Sequence, residues 1–361
     1  MRRTRIGPHP SIVRRSIARR ASLGSALLVA SILLASCGGG GGSDGQSAAS
    51  STTVPAATGT PATTRPTSTT APSGTVQAAT APWKLNEPVA REIVIANGNQ
   101  LEIVGGLDHT KFSTAAVVLV DPTSGAQQSP AKLTEAVHDA AGSLVGGKVL
   151  VFGGGGPSEN GTADVQAVPA TGTATIIGRL PGSRSDHVAA TVGNRAYVFS
   201  GFDGTTILPS VLSTADGVTF DPVGNLPVPV RYAAFAAVGK TVYLFGGVAS
   251  TSGNDTNAIQ ALDTGTGTIT QVAQLPTSLS HASAVVIGGK VYVLGGYVNN
   301  STLSDQILRF DPANKAITAV GKLPIPVSDA AAATIGDKGY LVGGQSTDRN
   351  PLASVVIITA G

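Results

Sequence analysis

The chain has 361 residues, with 24 basic and 21 acidic side chains, one cysteine and one tryptophan. Seven of the basic residues are arginines within residues 1–36, which hold no acid; removing those seven from 24 leaves 17 basic against 21 acidic, a net of −4. That balance excludes a basic nucleic-acid surface, so no nucleic acid is expected as a partner, and a single cysteine excludes a disulfide framework or a cysteine-built metal site.

At the amino terminus, a positive segment from Arg2 to Arg20 precedes Leu23–Ala35, a 13-residue apolar run too short to span a bilayer. The following Leu34-Ala35-Ser36-Cys37 resembles the processing site of a bacterial lipoprotein signal. The resemblance implies a signal peptide over residues 1–36, lipidation of Cys37 as the first mature residue, and anchorage to the membrane of the bacterial cell envelope. Acyl chains hold such an anchor at about 0.8 kcal/mol per buried methylene. An ordinary secretory signal with a chance cysteine is the alternative, and Arg19-Arg20 with Leu23 faintly resembles a twin-arginine export signal. Residues 37–81 are rich in Gly, Ser, Thr, Ala and Pro with almost no large apolar side chain. Such a tract buries too little surface to offset its ordering entropy and is expected to be a disordered tether.

From residue 82 onward the chain repeats itself. A short apolar run ending in a glycine pair recurs at Gly105-Gly106, Gly153-Gly154, Ser200-Gly201, Gly246-Gly247, Gly295-Gly296 and Gly343-Gly344, with spacings of 48, 47, 46, 49 and 48. A period that steady marks a repeat architecture. Each unit reads as four strands. In the fourth these are Tyr232–Val238, Thr241–Phe245, Ala258–Asp263 and Thr268–Leu275; in the fifth, Ala282–Ile287, Val291–Leu294, Gln306–Asp311 and Ala316–Leu323. Glycine-bearing two-residue turns suit the tight hairpins between them. Leu-Pro pairs (Leu180-Pro181, Leu226-Pro227, Leu275-Pro276, Leu323-Pro324) end most units, because proline blocks further pairing.

First strands are rich in alanine, as in Ala233-Ala234 and Ala330–Ala333. Small side chains fit where sheets crowd around an axis, so the expected fold is all-β: a six-bladed β-propeller over residues 82–361. The sixth unit has only three strands, ending at Val355–Thr359. Trp83-Lys84-Leu85 is expected to supply the fourth and close the ring, leaving no open edge.

The glycine pairs, the tyrosine of Val-Tyr-Leu-Phe-Gly-Gly, the later Asp121-Pro122 and Asp311-Pro312, and the Leu-Pro pairs together resemble the kelch repeat across residues 83–361. Three features depart from it. The outer-strand tryptophan survives only as Trp83, Ser200 replaces a glycine, and the first two units lack the tyrosine.

In propellers of this kind the loop leading into the innermost strand and the loop after the second strand open on one face. The resemblance therefore collects Arg91, His138, Asp139, Arg184, Asp186, His187, Arg231, Tyr232, His281 and Asp329 at one mouth. Asp108, His109, Glu159, Asp203, Asp255, Asn299, Asn300, Asp348 and Arg349 join them from the second loops. The default ligand site is this mouth, with Arg91, His138, Arg184, His187, Arg231, Tyr232, His281 and Asp329 as binding candidates. The bland alternative is that these polar groups satisfy one another between blades.

The four mature histidines lie in different units without local pairing, so no metal is expected. A kelch copper radical oxidase needs a crosslinked cysteine that this chain lacks, and no Ser-His-Asp nucleophile is recognisable. Gly239-Lys240-Thr241 lacks the earlier glycine of a phosphate loop and reads as a turn. No cofactor is expected. The leading reading is a monomeric, non-catalytic module that binds a protein, peptide or glycan. The alternative, on resemblance to six-bladed kelch mutarotases of sialic acid, uses His187 or His281 as acid/base and Arg91, Arg184 and Arg231 to grip a carboxylate.

Overall fold

The computed structural model describes residues 75–156 and 161–361. The signal peptide, Cys37 and most of the expected tether lie outside the described residues. Among the described residues there are six antiparallel sheets of four principal strands, and the second strand of each leads directly into the glycine pair or, in blade 3, into Ser200-Gly201, the blade 2 strand running through its pair. Blade 4 is typical, with strands Ala234–Val238, Thr241–Phe245, Ala258–Asp263 and Thr268–Gln274. Blade 1 departs most. Its outer strand runs on as Gln127–Val137 and adds a short parallel pairing to Gly172–Thr173 beside blade 2.

The innermost strands neighbour one another in a closed circuit, from Ile93–Asn97 in blade 1 to Ala331–Ile335 in blade 6 and back. Between each adjacent pair of sheets lies one apolar cluster. Phe152 and Leu180 pack between blades 2 and 3, Phe199 and Leu226 between 3 and 4, and Phe245 and Phe310 between 4 and 5. Burial of each such side chain stabilises the fold by roughly 1.5–3 kcal/mol, so stability is spread over six interfaces instead of one centre.

Closure differs from the sequence expectation. The fourth strand of the last blade is Val76–Thr80, paired antiparallel with Val355–Ala360 in the register Val76 to Ala360 through Thr80 to Val356. The folded region therefore begins before residue 82, and the final residues of the expected tether are a strand. Trp83 is not in that strand. Its ring packs half-buried against Gly125, where a Cβ would collide with it, and against the cluster between blades 6 and 1. Leu85, followed by Asn86, takes the part of the leucine in the Leu-Pro pairs. Its N–H donates to Ala353 O at 2.9 Å, as Leu180, Leu226, Leu275 and Leu323 donate across their own blades.

Two circuits of backbone hydrogen bonds tie the blades together. In the outer one the second glycine of each pair donates to the next blade: Gly106 to Val137 O, Gly154 to Arg184 O, Gly201 to Val230 O, Gly247 to Leu279 O, Gly296 to Val327 O, and Gly344 back to Val89 O, all at 2.8–3.0 Å. The first glycine lies directly against that acceptor strand with φ near +60°, so any side chain there would strike the neighbour's backbone; at Gly246 the obstacle is Leu279 O. Ser200 is the exception, at φ 55°. Its hydroxyl donates to Leu208 O at 2.6 Å and accepts from Val230 N at 2.8 Å, turning the intrusion into two hydrogen bonds.

The inner circuit is formed by one residue per blade: Arg91, Asp139, Asp186, Tyr232, His281 and Asp329. All six have φ between 51° and 58°, and each N–H donates to the carbonyl of the preceding member at 2.8–3.0 Å, with Arg91 closing on Asp329. Six non-glycine residues in the left-handed region are costly one by one. Here each one is held in place by a bond from blade to blade.

Candidate functional site

The inner circuit rims the axial channel, whose cavity of about 150 Å³ is walled below by alanines such as Ala141, Ala189, Ala234 and Ala332. The lead-in loop of every blade bridges to the loop after its second strand, for example Arg231 with Val248 and Ser328 with Gln345. Both loop sets therefore open on the same face.

The ring side chains are largely paired with one another. Arg91 reaches Asp139 at 3.0 Å and Asp329 at 3.5 Å. Asp329 also takes the Nδ1 of His281 at 2.7 Å and the hydroxyl of Ser328 at 2.9 Å. Tyr232 stacks on His281 with ring centroids 3.9 Å apart, and Arg231 pairs with Asp186 at 3.3 Å while lying over the Phe202 ring. Electrostatics follow this geometry. Burial opposes the charged form of Arg91, yet Asp139 and Asp329 outweigh it and hold the guanidinium more firmly protonated than usual. Burial pushes the Asp139 carboxyl up against the pull of Arg91, with Asp186 and Asp329 adding to the rise. Burial would also raise Asp329, but the hydrogen bond and charge of His281 bring it below the usual carboxylate range. Burial, reinforced by the acids around it, lifts the Tyr232 phenol far above its ordinary value.

Four of the expected site residues lie off the ring: Arg231, one residue before Tyr232, and Arg184, His187 and His138. Arg184 is buried in the wedge between blades, donating to Ser200 O and Ser210 Oγ at 3.0 Å each; burial without a carboxylate partner lowers it to about 10. It occupies a slot filled elsewhere by Val89, Val137, Val230, Leu279 and Val327, a core position that the repeat makes recognisable. His187 is buried against Gly153 of blade 2, neither ring nitrogen has a partner, and burial then Arg184 depress it to about 3. His138 sits one residue before the ring. Its Nδ1 is 2.9 Å from Ser113 Oγ, and burial followed by Arg91 lowers its pKa.

Sequence reasoning missed Glu92, buried at the join of blades 6 and 1. One oxygen accepts from Ala331 N at 3.1 Å, the other has no partner, and burial raises the carboxyl to about 8. The slot is alanine in four of the other blades (Ala140, Ala233, Ala282, Ala330), which would have exposed Glu92 and His187 as the two polar departures.

Among the second-loop candidates, Asp108 and Asp203 cap their own loops through Thr110 N and Thr206 N. Asp348 accepts from Ser346 and Asn350, while Arg349 is exposed on the same loop. Asp255 accepts from Asn300 N at 2.8 Å, tying the loops of blades 4 and 5, and Asn299 accepts from the Ser278 hydroxyl. His109 stands away from the channel beside Glu87, and Glu159 lies outside the described residues.

Residues 212–358 match the family model described as the KLHDC2/KLHL20/DRC7 Kelch-repeats domain. Kelch repeats are thus matched over residues 212–358. The solved structure of YjhT resembles this chain with a TM-score of 0.65 at 15% identity, covering 77% of this chain and 98% of YjhT. At that identity the likeness shows the fold. No curated protein sequence matches this chain.

Proposed function

We propose that the kelch propeller is a non-catalytic binding module, held at the bacterial envelope through lipidated Cys37, that takes a protein or glycan at the channel mouth and its surrounding loops. The observation that supports this most is the mutual pairing of the mouth's charges. Arg91 is held by Asp139 and Asp329, Arg231 by Asp186, and Arg184 is buried between blades. No three guanidinium groups are left to converge on a substrate carboxylate. What faces outward is the loop crown, with Phe112 73% exposed between Lys111 and Ser113 on blade 1. An exposed aromatic on a rigid scaffold is a typical anchor for a partner. The test is capture of glycans and envelope proteins by the wild-type chain and by Phe112→Ala and Arg231→Ala. The proposal expects at least one ligand whose capture falls about tenfold in Phe112→Ala; equal capture of every ligand by both variants contradicts it.

One observation favours the second reading, a sugar mutarotase. Asp329 fixes His281 Nδ1, which orients the opposite ring nitrogen as an acid/base group beside Tyr232 and Tyr297. Accelerated anomer exchange of sialic acid, abolished in His281→Asn, would establish it.

A further inference from the structure

We propose that the junction of blades 6 and 1 holds a second ligand site, a pocket for a small organic ammonium ion with an apolar body. It shares no lining residue with the channel and does not depend on the mouth reading.

The pocket follows from one position in the third strand. In the register opposite the penultimate residue of the second strand's apolar run stand Val118, Gln166, Leu212, Gln260, Leu308 and Val356 in blades 1 to 6. In blade 4, Gln260 grips the lead-in segment by both backbone groups of Val228, at 2.9 and 2.8 Å. Gln166 does the same to Thr134 and Glu135 at blade 2. Blades 3, 5 and 6 bury their leucine or valine, at 5–8% exposed. Blade 1 does neither. Val118 has no group with which to hold the passing segment Leu85–Val89 and stays half-buried. Ala116 is exposed, although its counterpart in blade 4, Ala258, is buried at 3%.

The space left is a cavity of about 310 Å³ with a floor of Leu85, Val89, Ile103, Ala116 and Val118. That is the lower end of the size range of small-molecule pockets, about 300–1,000 Å³. Glu87 and Asp108 also line it, with His109 Nδ1 3.6 Å from Glu87. Gln127 is already committed to Asn86 N and Lys84 O and holds the wall in place. Hydrogen bonds from Thr110 and Phe112 keep Asp108 below the ordinary carboxylate range, so it is anionic at neutral pH. An apolar floor together with two carboxylates selects a ligand with a hydrocarbon body and a cationic head.

The test is calorimetric titration of the full chain with 2-phenylethylammonium, 2-phenylethanol and 3-phenylpropionate. The amine is expected to bind at roughly millimolar concentration or tighter, the alcohol about threefold to tenfold more weakly, and the carboxylate not at all. Glu87→Gln should weaken the amine to about the level of the alcohol. Ala116→Phe, which fills the floor, and Val118→Gln, which installs the clamp of blades 2 and 4, should each abolish binding while leaving the thermal unfolding midpoint at or above wild type. No saturable binding of the amine, equal binding of the carboxylate, or unchanged binding in either folded variant overturns the proposal.

Discussion

The two hydrogen-bond circuits and the side chains mounted on them behave differently around the ring. The backbone bonds are the same in all six blades, with one donor, one acceptor and nearly one distance per interface. The side chains on the inner circuit are all different in role: a cation between two acids, a phenol stacked on an imidazole, an acid reaching for an arginine one loop away. Repetition specifies the architecture, and departure from repetition builds whatever is particular to this propeller.

The largest effect is expected at closure. Deleting residues 1–81 removes Val76–Thr80, uncovers the edge of Val355–Ala360 and takes Val76 out of the cluster between blades 5 and 6. Loss of cooperative unfolding, or association through the new edge seen by light scattering, is the expected outcome. A truncated chain as stable and monomeric as wild type would show that closure lies elsewhere.

Next come the glycines. Gly246→Val places a side chain against Leu279 O at φ 62° and should cost more than about 3 kcal/mol in denaturant unfolding. Gly239→Ala, also at positive φ but with open space around it, should cost only about 1 kcal/mol. Equal costs would mean that the close approach between blades is not what requires glycine.

Two buried titrations sharpen the side-chain half of the comparison, and they run in opposite directions. The His187 pKa is depressed from 6.5 to about 3, so the unfolded chain binds the extra proton between those values and folding weakens as pH falls through the window. His187→Gln should flatten the acid limb of the stability curve by a few kcal/mol relative to wild type. Glu92 is raised from 4.5 to about 8, so here the folded chain holds the extra proton and stability declines as pH rises from 4.5 to 8. Glu92→Gln, keeping the acceptor for Ala331 N, should be the more stable protein above pH 8 by about 1–3 kcal/mol. Parallel curves for variant and wild type would place these groups in water.

The repeated features were readable in the chain itself. The glycine pairs, the Leu-Pro ends and the alanine-rich first strands gave the blades, and strands such as Thr241–Phe245 and Ala258–Asp263 fall where periodicity puts them. Val76–Thr80 was not readable. Its Val-Gln-Ala-Ala-Thr has the composition of the preceding tract, and it becomes a strand because an unpaired edge in the last blade awaits it. Of the expected mouth residues, Arg91, Tyr232, His281 and Asp329 meet at the channel, whereas His138, Arg184 and Arg231 do not line it and His187 turns its ring against Gly153. Alternation along the chain accounts for His187, one residue beyond the ring position, whose side chain turns from the channel to the blade interface; Arg184 lies in the lead-in segment, in the slot that Val137 and Val230 fill between other blades. Composition registers their charge but not that alternation.

One amide per blade links the ring, and hydrogen exchange reads that linkage directly. The amides of Arg91, Asp139, Asp186, Tyr232, His281 and Asp329 should exchange as slowly as those of the second strands, despite lying in loops at the channel mouth. If they exchange as fast as Thr110 or Thr205 on the surrounding loops, the blades are not joined there.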